Sequence, residues 1–555
     1  MTQARQERHA GALSSVNPAV FWPSAVLIGA FVLFAVVFPG TAESAIGTVQ
    51  TDIIGVFGWY YVLLVAGFVV FSLVVGLSRL GDVRLGRDDE EPEFGFLSWL
   101  SMLFAAGMGI GLVFWGVAEP LNHFSSPRPE VSGTPEQLAQ AAMGQTFLHW
   151  GLHAWAIYVV VGLAVAYAVH RRGRPISIRW ALEPLLGTKR VQGGLGHAID
   201  TIAVVGTLFG VATSLGLGVL QIAAGLDFLG LGDGGSRPLQ IGLIVVITLA
   251  AMVSVVTGVE RGIQWLSNAN LVLAALLLLF VLLAGPTLFL LREYVQQLGY
   301  YISNFVSLSF VTSAYAGEEG QAWQGAWTTF YWGWWMSWAP FVGVFIARVS
   351  RGRTVREFVV GVLLIPTAIG TLWFAVLGGS ALYRQLFGAG GMVGADGAVD
   401  TEGSLFTLLS DLPLGTVAAV LAIVLIAMFF ITSSDSGSLV VSMLASGGNP
   451  EPPIWSRVFW ALLGGAVAIA LLVAGGLTAL QTTAIVIALP FSLVMILMCV
   501  ATWRALSAEH RASQRAARRR DDDRIVSLVA AEGSGGTGST GGTNSTGAAE
   551  PTQLR

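Results

Sequence analysis

Along the chain, long apolar runs alternate with short polar or Gly/Pro-rich breaks almost from end to end. A helix needs about 20 apolar residues to cross a bilayer. Runs near residues 19–38, 56–80, 96–117, 141–169, 199–226 and 239–259 meet that need, and six more follow near 271–291, 327–347, 358–382, 414–436, 454–473 and 477–506. The pattern predicts an all-α integral membrane protein of twelve transmembrane helices.

Between the seventh and eighth runs, residues 293–310 alternate aromatic and aliphatic side chains with Gln and Ser, as a helix lying along the interface would. A short re-entrant segment or a packed loop fits the same pattern. After Leu506 the chain becomes charge-dense over 511–524 and then wholly Gly, Ser, Thr and Asn over 533–546, a composition expected to be disordered. The basic stretch would serve as a solvated stop-transfer flank or bind anionic lipid.

Positively charged loops stay cytoplasmic. With twelve spans and the N-terminus inside, only Arg128, Arg237, Arg292 and Arg384 fall outside, so both termini are placed in the cytoplasm. The polar stretch 1–17 carries Arg5 and Arg8 and lacks a clear cleavage site, so the first run is expected to be a retained helix.

Composition narrows the chemistry. Apolar residues make up 54% of the 555 and charged residues only 11%, against about 25% charged in a soluble chain. Cys499 is the sole cysteine, which leaves no disulfide framework, and the sole lysine, Lys189, precedes Arg190, which leaves no phosphate-binding Gly-Lys-Ser/Thr loop. No nucleophile with a paired base stands out, so the chain is not expected to be an enzyme, and no nucleic-acid partner is expected. Transport would draw on an ion or substrate gradient or on a separate ATPase subunit.

Four segments could carry chemistry. The third span contains Gly107-Met108-Gly109-Ile110-Gly111, and each glycine weakens a helix by about 1 kcal/mol relative to alanine. A break there would free carbonyls for a cation and amides for an anion, while close helix packing through small residues is the alternative. The eighth span reads Phe330-Tyr331-Trp332-Gly333-Trp334-Trp335-Met336-Ser337-Trp338. Trp323 and Trp327 fit an interfacial aromatic belt, but the cluster runs on into the span. Indole faces attract cations, and a quaternary ammonium suits such a cage because it has no N–H to satisfy.

The tenth span carries Thr432-Ser433-Ser434-Asp435 after Phe429-Phe430. These hydroxyls either back-bond to their own helix or offer oxygen ligands to a hard cation such as sodium. Asp435 is expected near the cytoplasmic end of that span. In the fourth span His149 and His153 stand four apart, but no third ligand is evident and a zinc site is not expected. Trp150 and Tyr158 beside them add aromatic surface.

Together, Ala106-Gly107-Met108-Gly109-Ile110-Gly111, Trp115-Gly116-Val117-Ala118-Glu119-Pro120, Trp332-Gly333-Trp334-Trp335, Ala339-Pro340-Phe341-Val342-Gly343 and Arg351-Gly352-Arg353-Thr354-Val355-Arg356-Glu357-Phe358 closely resemble the betaine/choline/carnitine transporter family. The resemblance runs from the first span to the last and leaves out only the tail. It implies a LeuT-like fold in which a cytoplasmic segment (1–18) and two peripheral helices (19–94) precede two inverted five-helix repeats (95–295 and 324–506). An interfacial helix and loop (296–323) joins the repeats, and a cytoplasmic, largely disordered tail follows (507–555).

The resemblance further implies a homotrimeric secondary transporter in the cell membrane. Its substrate cage would comprise Trp150, Tyr158, Trp334, Trp335 and Trp338, with Phe330 and Trp332 nearer the gates. The substrate carboxylate would meet amides of Gly107, Met108 and Gly109, helped by Ser214. A coupling sodium, the only inorganic partner expected and no cofactor in the usual sense, would sit on carbonyls of Ala105, Met108 and Phe429 and on the hydroxyls of Thr432 and Ser433. A second sodium site at Thr207 and Phe341 is in question, because Val211 stands where relatives have a second hydroxyl.

Choline-type members tend to place an acidic residue in the glycine motif, and residues 107–111 hold none. The expected function is therefore uptake of a quaternary-ammonium compatible solute, glycine betaine foremost, by sodium symport for osmoprotection. Ectoine, choline or carnitine transport, a proton-coupled or exchange variant, and a non-pumping osmosensor are the alternatives.

Overall fold

The computed structural model describes residues 15–107, 109–257 and 260–535. Among them there is no β-strand, only an isolated bridge between Arg84 and Thr354. The chain forms two units, Met1–Arg504 and Ala505–Arg555.

The first unit opens with α1 (Pro18–Val37) and α2 (Pro39–Leu77), followed by a helix in two pieces, α3 (Phe96–Gly107) and α4 (Ile110–Ser125). Next come α5 (Pro135–Trp150), α6 (Leu152–Ala166), α7 (Gly194–Phe228), α8 (Arg237–Thr257) and α9 (Glu260–Ala284). The series closes with α10 (Thr287–Ser309), α11 (Phe330–Val349), α12 (Val355–Phe387), α13 (Gly415–Ala445), α14 (Ile454–Val473) and the part of α15 (Gly476–Gly535) that precedes Ala505. Among the described residues, ten helices are long and apolar enough to cross a membrane, counting α5 and α6 as one. Of the twelve expected spans, the third and the eighth fall outside that set. The third is cut into lengths of 12 and 16 residues. The eighth, α11, reaches 20 residues but carries four Trp, two Gly and one Tyr, which score as weakly polar. Residues 330–344 of α11 are buried throughout, so the helix faces protein rather than lipid and has no need of aliphatic side chains.

Burial sorts the helices into inner and outer sets. The most apolar stretches of α5–α6 and α7 are 89% buried, against 33% for α1 and α8 and 22% for α9. A helix that is apolar all round and mostly exposed belongs in lipid. The start of α2 departs from the hydropathy reading. Polar Glu43, Gln50 and Asp52 hide it from an apolar scan, yet the helix begins at Pro39, with Thr48 and Thr51 back-bonded to the carbonyls of Ser44 and Gly47 at 2.9 Å.

Local chemistry sets several ends. Thr134 and Gln137 form a reciprocal capping box at the start of α5, and Thr354 and Glu357 form another at the start of α12. Gly151 breaks α5 from α6. A Cβ there would stand 2.4 Å from the Phe147 carbonyl and 2.7 Å from Tyr301 Oη, so the break admits Tyr301 of α10, whose hydroxyl accepts the Leu152 amide at 3.3 Å. The helix α10 is the segment read as interfacial, and it starts earlier, at Thr287, after the Gly285-Pro286 interruption.

The arginine-rich motif after α11 serves as a clamp at one end of the bundle. Arg84 Nη1 donates to the carbonyls of Gly352 (2.9 Å) and Glu90 (2.7 Å), Arg351 Nε pairs with Glu90 Oε1 at 2.6 Å, and the Arg353 guanidinium lies 4.7 Å from the Trp99 ring centre. Gly352, at φ +79°, lets this turn approach Glu91. Asp435 lies ten residues before the end of α13. Its helix continues to Ala445, and its carboxylate pairs with Arg457 of α14 at 3.1 Å. In the second unit the segment expected to be largely disordered is helical as far as Gly535, and residues 536–555 lie outside the described ones.

Candidate functional site

Between α3 and α4 the helical backbone stops at Gly107 and restarts at Ile110, with extended Gly109 (φ −155°, ψ −174°) as an N-cap that provides no side-chain bond. Met108 lies outside the described residues, and Ala105 and Gly107 occupy the last turn of α3. The start of α4 therefore presents backbone N–H groups without a side-chain cap, the feature that draws a carboxylate to a helix N-terminus. Aromatic rings crowd this point. A Cβ on Gly111 would stand 2.3 Å from Trp334 Cη2 and 3.2 Å from Trp150 Cη2, whereas one on Gly109 would meet Trp338 Cη2 at an ordinary 3.5 Å. The helix breaks at the motif as expected, with Gly109 as the cap, and Gly111 makes room for indole rings.

The expected cage residues divide into two groups. Trp334 and Trp335 stack with centres 4.7 Å apart and planes 14° from parallel, and Trp150 stands edge-on to both at 6.1 and 4.8 Å. Tyr158 reaches Trp335 at 6.3 Å, Phe330 stacks on Trp334 at 5.5 Å, and Ser214 Oγ accepts the Trp334 indole N–H at 3.2 Å. Trp332 turns elsewhere, stacking on His153 at 5.5 Å. Trp338 joins the second group. It lies 5.5 Å from Phe341, and its indole N–H is buried without a partner.

That second group opens on a cavity of about 460 Å³, lined by Trp338 and Phe341 of α11, Asn270 of α9, and Phe429, Thr432 and Ser433 of α13. The aromatic wall and the expected sodium ligands of α13 therefore share one space. Thr432 Oγ1 donates toward the carbonyls of Met428 (3.0 Å) and Phe429 (3.2 Å) and accepts from Asn270 Nδ2 at 3.1 Å. Asn270 Oδ1 is buried with no partner. A turn of that amide would bring a carbonyl oxygen to bear where the hydroxyl stands, which suits a hard cation.

Thr207 is buried and back-bonded to the Ala203 carbonyl at 2.7 Å, and Val211 one turn on packs against α13 beside Gly437. The two histidines of α5 and α6 part company. His149 Nδ1 meets Glu119 at 2.7 Å, and His153 Nε2 meets Ser309 Oγ at 2.9 Å.

Two residues escape motif reading. Asn270, with Asn268 beside it, lies just before the seventh apolar run, and only the fold brings it to Thr432. Glu119 enters the sequence reading only as one letter of a family motif, yet it is fully buried and accepts the indole N–H of Trp150 at 2.6 Å. A carboxylate inside a span is itself a signal of function.

Known proteins share this pattern over most of its length. An uncharacterized transporter of Mycobacterium tuberculosis is 54% identical over 510 residues, covering 91% of this chain and 85% of its own. The glycine betaine transporter OpuD of Bacillus subtilis is 45% identical over 90% of this chain and 96% of its own, and the ectoine/hydroxyectoine transporter of Virgibacillus pantothenticus is 40% identical over 90% and 99%. The sequence profile of the betaine/carnitine/choline family transporters matches residues 19–511, and the chain is a membrane transporter that belongs to this family.

Proposed function

We propose that the protein takes up glycine betaine, a quaternary-ammonium compatible solute, by sodium symport across the plasma membrane, with both termini cytoplasmic, as a homotrimer serving osmoprotection. The observation that carries this reading is the shared cavity, in which Trp338 and Phe341 face Phe429, Thr432 and Ser433. An aromatic wall suits a trimethylammonium group, the uncapped start of α4 suits its carboxylate, and the hydroxyls of α13 suit a sodium ion. Relatives carrying the name glycine betaine transporter at 44 and 45% identity favour that solute.

With Trp334 and Trp335 stacked at 4.7 Å, no trimethylammonium fits between their faces. The substrate would sit on the open side of the pair, toward Trp338, or would part the rings on entry. A relative named for ectoine and hydroxyectoine favours a second reading, in which the cation is a cyclic amidinium. Competition decides between them. Labelled glycine betaine uptake into proteoliposomes is expected to be blocked by excess unlabelled betaine and little affected by equal ectoine, and complete block by ectoine alone would reassign the substrate.

A further inference from the structure

Outside the lining of the cavity, one buried carboxylate joins three helices. Glu119 of α4 has no exposed surface. Its Oε1 accepts from His149 Nδ1 at 2.7 Å and from His123 Nε2 at 3.3 Å. Its Oε2 accepts from the Trp150 indole at 2.6 Å and from the Tyr331 hydroxyl in a short contact. An ionised carboxylate is an acceptor only, with about four acceptor positions, and four donors fill them. The second nitrogen of His149 then accepts from the Gln145 amide and the Thr328 hydroxyl, each at 3.0 Å. A proton on Glu119 would force a donor to turn round. The indole has no acceptor and cannot, and a turned His149 would set an N–H of its own against the Gln145 amide N–H.

Glu119, His123 and His149 also bring three ligand-type atoms within 4.8 Å of one another. That grouping is not a metal site here, since both carboxylate oxygens are spent on indole, phenol and imidazole, and the outer nitrogen of His149 faces Thr328 and Gln145.

The position of the charge gives it a role. Trp150 donates to Glu119 with its N–H edge, while its ring stands 4.8 Å from Trp335 and 6.1 Å from Trp334. A full negative charge at the N–H pushes electron density into the indole ring, and in a low-dielectric interior its potential is weakly screened. Both effects strengthen the attraction of the ring faces for a cation.

We propose that Glu119 is the counter-charge of the aromatic cage, an ionised positioning residue that fixes Trp150 and Tyr331 and makes their surroundings prefer a quaternary ammonium over an uncharged group of the same shape. This rests on the reading that the substrate is a quaternary ammonium. Glu119 touches the rings rather than the substrate, so its effect must show as selectivity.

The test compares glycine betaine with its carbon isostere tert-butylacetate, in which a tert-butyl group replaces trimethylammonium, as competitors of labelled betaine binding to the purified full chain. Glu119→Gln is expected to weaken betaine about tenfold and to leave the isostere within about twofold of its wild-type affinity. Equal losses for both ligands would make Glu119 a merely structural group and overturn the inference alone, as would unchanged betaine affinity. Failure of the wild-type protein to bind betaine would overturn the functional reading and this inference with it. Glu119→Asp, which keeps the charge, carries the same test if the glutamine variant does not fold. It should retain the wild-type ratio of betaine to isostere affinity, and a ratio collapsing toward that of the uncharged ring cluster contradicts the proposal.

Discussion

Val211 of α7 packs against Gly437 of α13 so closely that a Cβ on Gly437 would stand 3.0 Å from Val211 Cγ2. The place where a second hydroxyl would stand, one turn after Thr207, is therefore apolar and filled. Thr207 alone, back-bonded to Ala203, makes a poor cation site. Betaine uptake is expected to depend on sodium with a Hill coefficient of about 1 if only the Thr432–Ser433 site operates, and Val211→Thr should raise it toward about 2. A wild-type coefficient near 2 contradicts the single-ion reading.

Gly111 and Gly109 separate packing from backbone chemistry. Gly111→Ala would drive a methyl into Trp334 at 2.3 Å, an overpacking that costs about 1–3 kcal/mol. The variant should melt several degrees lower in detergent and bind substrate more weakly. Gly109→Ala meets only an ordinary contact with Trp338 and should leave the melting temperature close to wild type. Equal thermal losses in the two variants would contradict the geometry.

These two glycines also show what the sequence could and could not tell. Their spacing marked a weak point in the third span, and the structure breaks the helix there, with Gly109 as the cap. Which glycine makes room for a ring depends on α11 lying across α4, a tertiary fact that no local pattern carries. The same holds for Asn270 and Thr432, 162 residues apart in sequence and 3.1 Å apart in the fold. Hydropathy located the lipid-facing helices such as α9 well. The two spans that build the site fall outside the set of long apolar helices for different reasons, the third because the chain breaks at Gly109 and the eighth because a buried, aromatic helix needs no aliphatic face. Trp334 and Trp335 are neighbours in sequence and are expected to line a cage, but that they stack on each other, with Phe330 on Trp334, shows only in the fold.

Asn270 should act on the ion rather than on the solute. Asn270→Ala removes both the donor to Thr432 Oγ1 and the unpartnered Oδ1. The half-saturating sodium concentration for uptake is expected to rise about five- to tenfold, an effect of order 1 kcal/mol for one hydrogen bond. At saturating sodium the KM for betaine should stay near wild type. A change confined to the betaine KM would place Asn270 on the substrate instead.

Glu293 lies on α10, outside the ten spans, with both carboxyl oxygens buried and unpartnered. Burial pushes its carboxyl up to about 8 from an ordinary value of 4.5. A raised value means that its native-state stability is fully present below pH 4.5 and is lost as pH rises toward 8. At about 1.4 kcal/mol per unit the loss amounts to a few kcal/mol. Thermal unfolding should find wild type and Glu293→Gln alike at pH 4.5, with the variant more stable by several degrees at pH 9. A pH-independent difference would contradict this.

The account depends most on sodium driving solute uptake through the cavity shared by Trp338 and Thr432. Uptake of labelled glycine betaine into proteoliposomes, measured with an inward sodium gradient and again with sodium replaced by potassium, tests it directly. The account predicts accumulation above equilibrium only with sodium, lost in Ser433→Ala at low sodium. Equal uptake in both salts would contradict it.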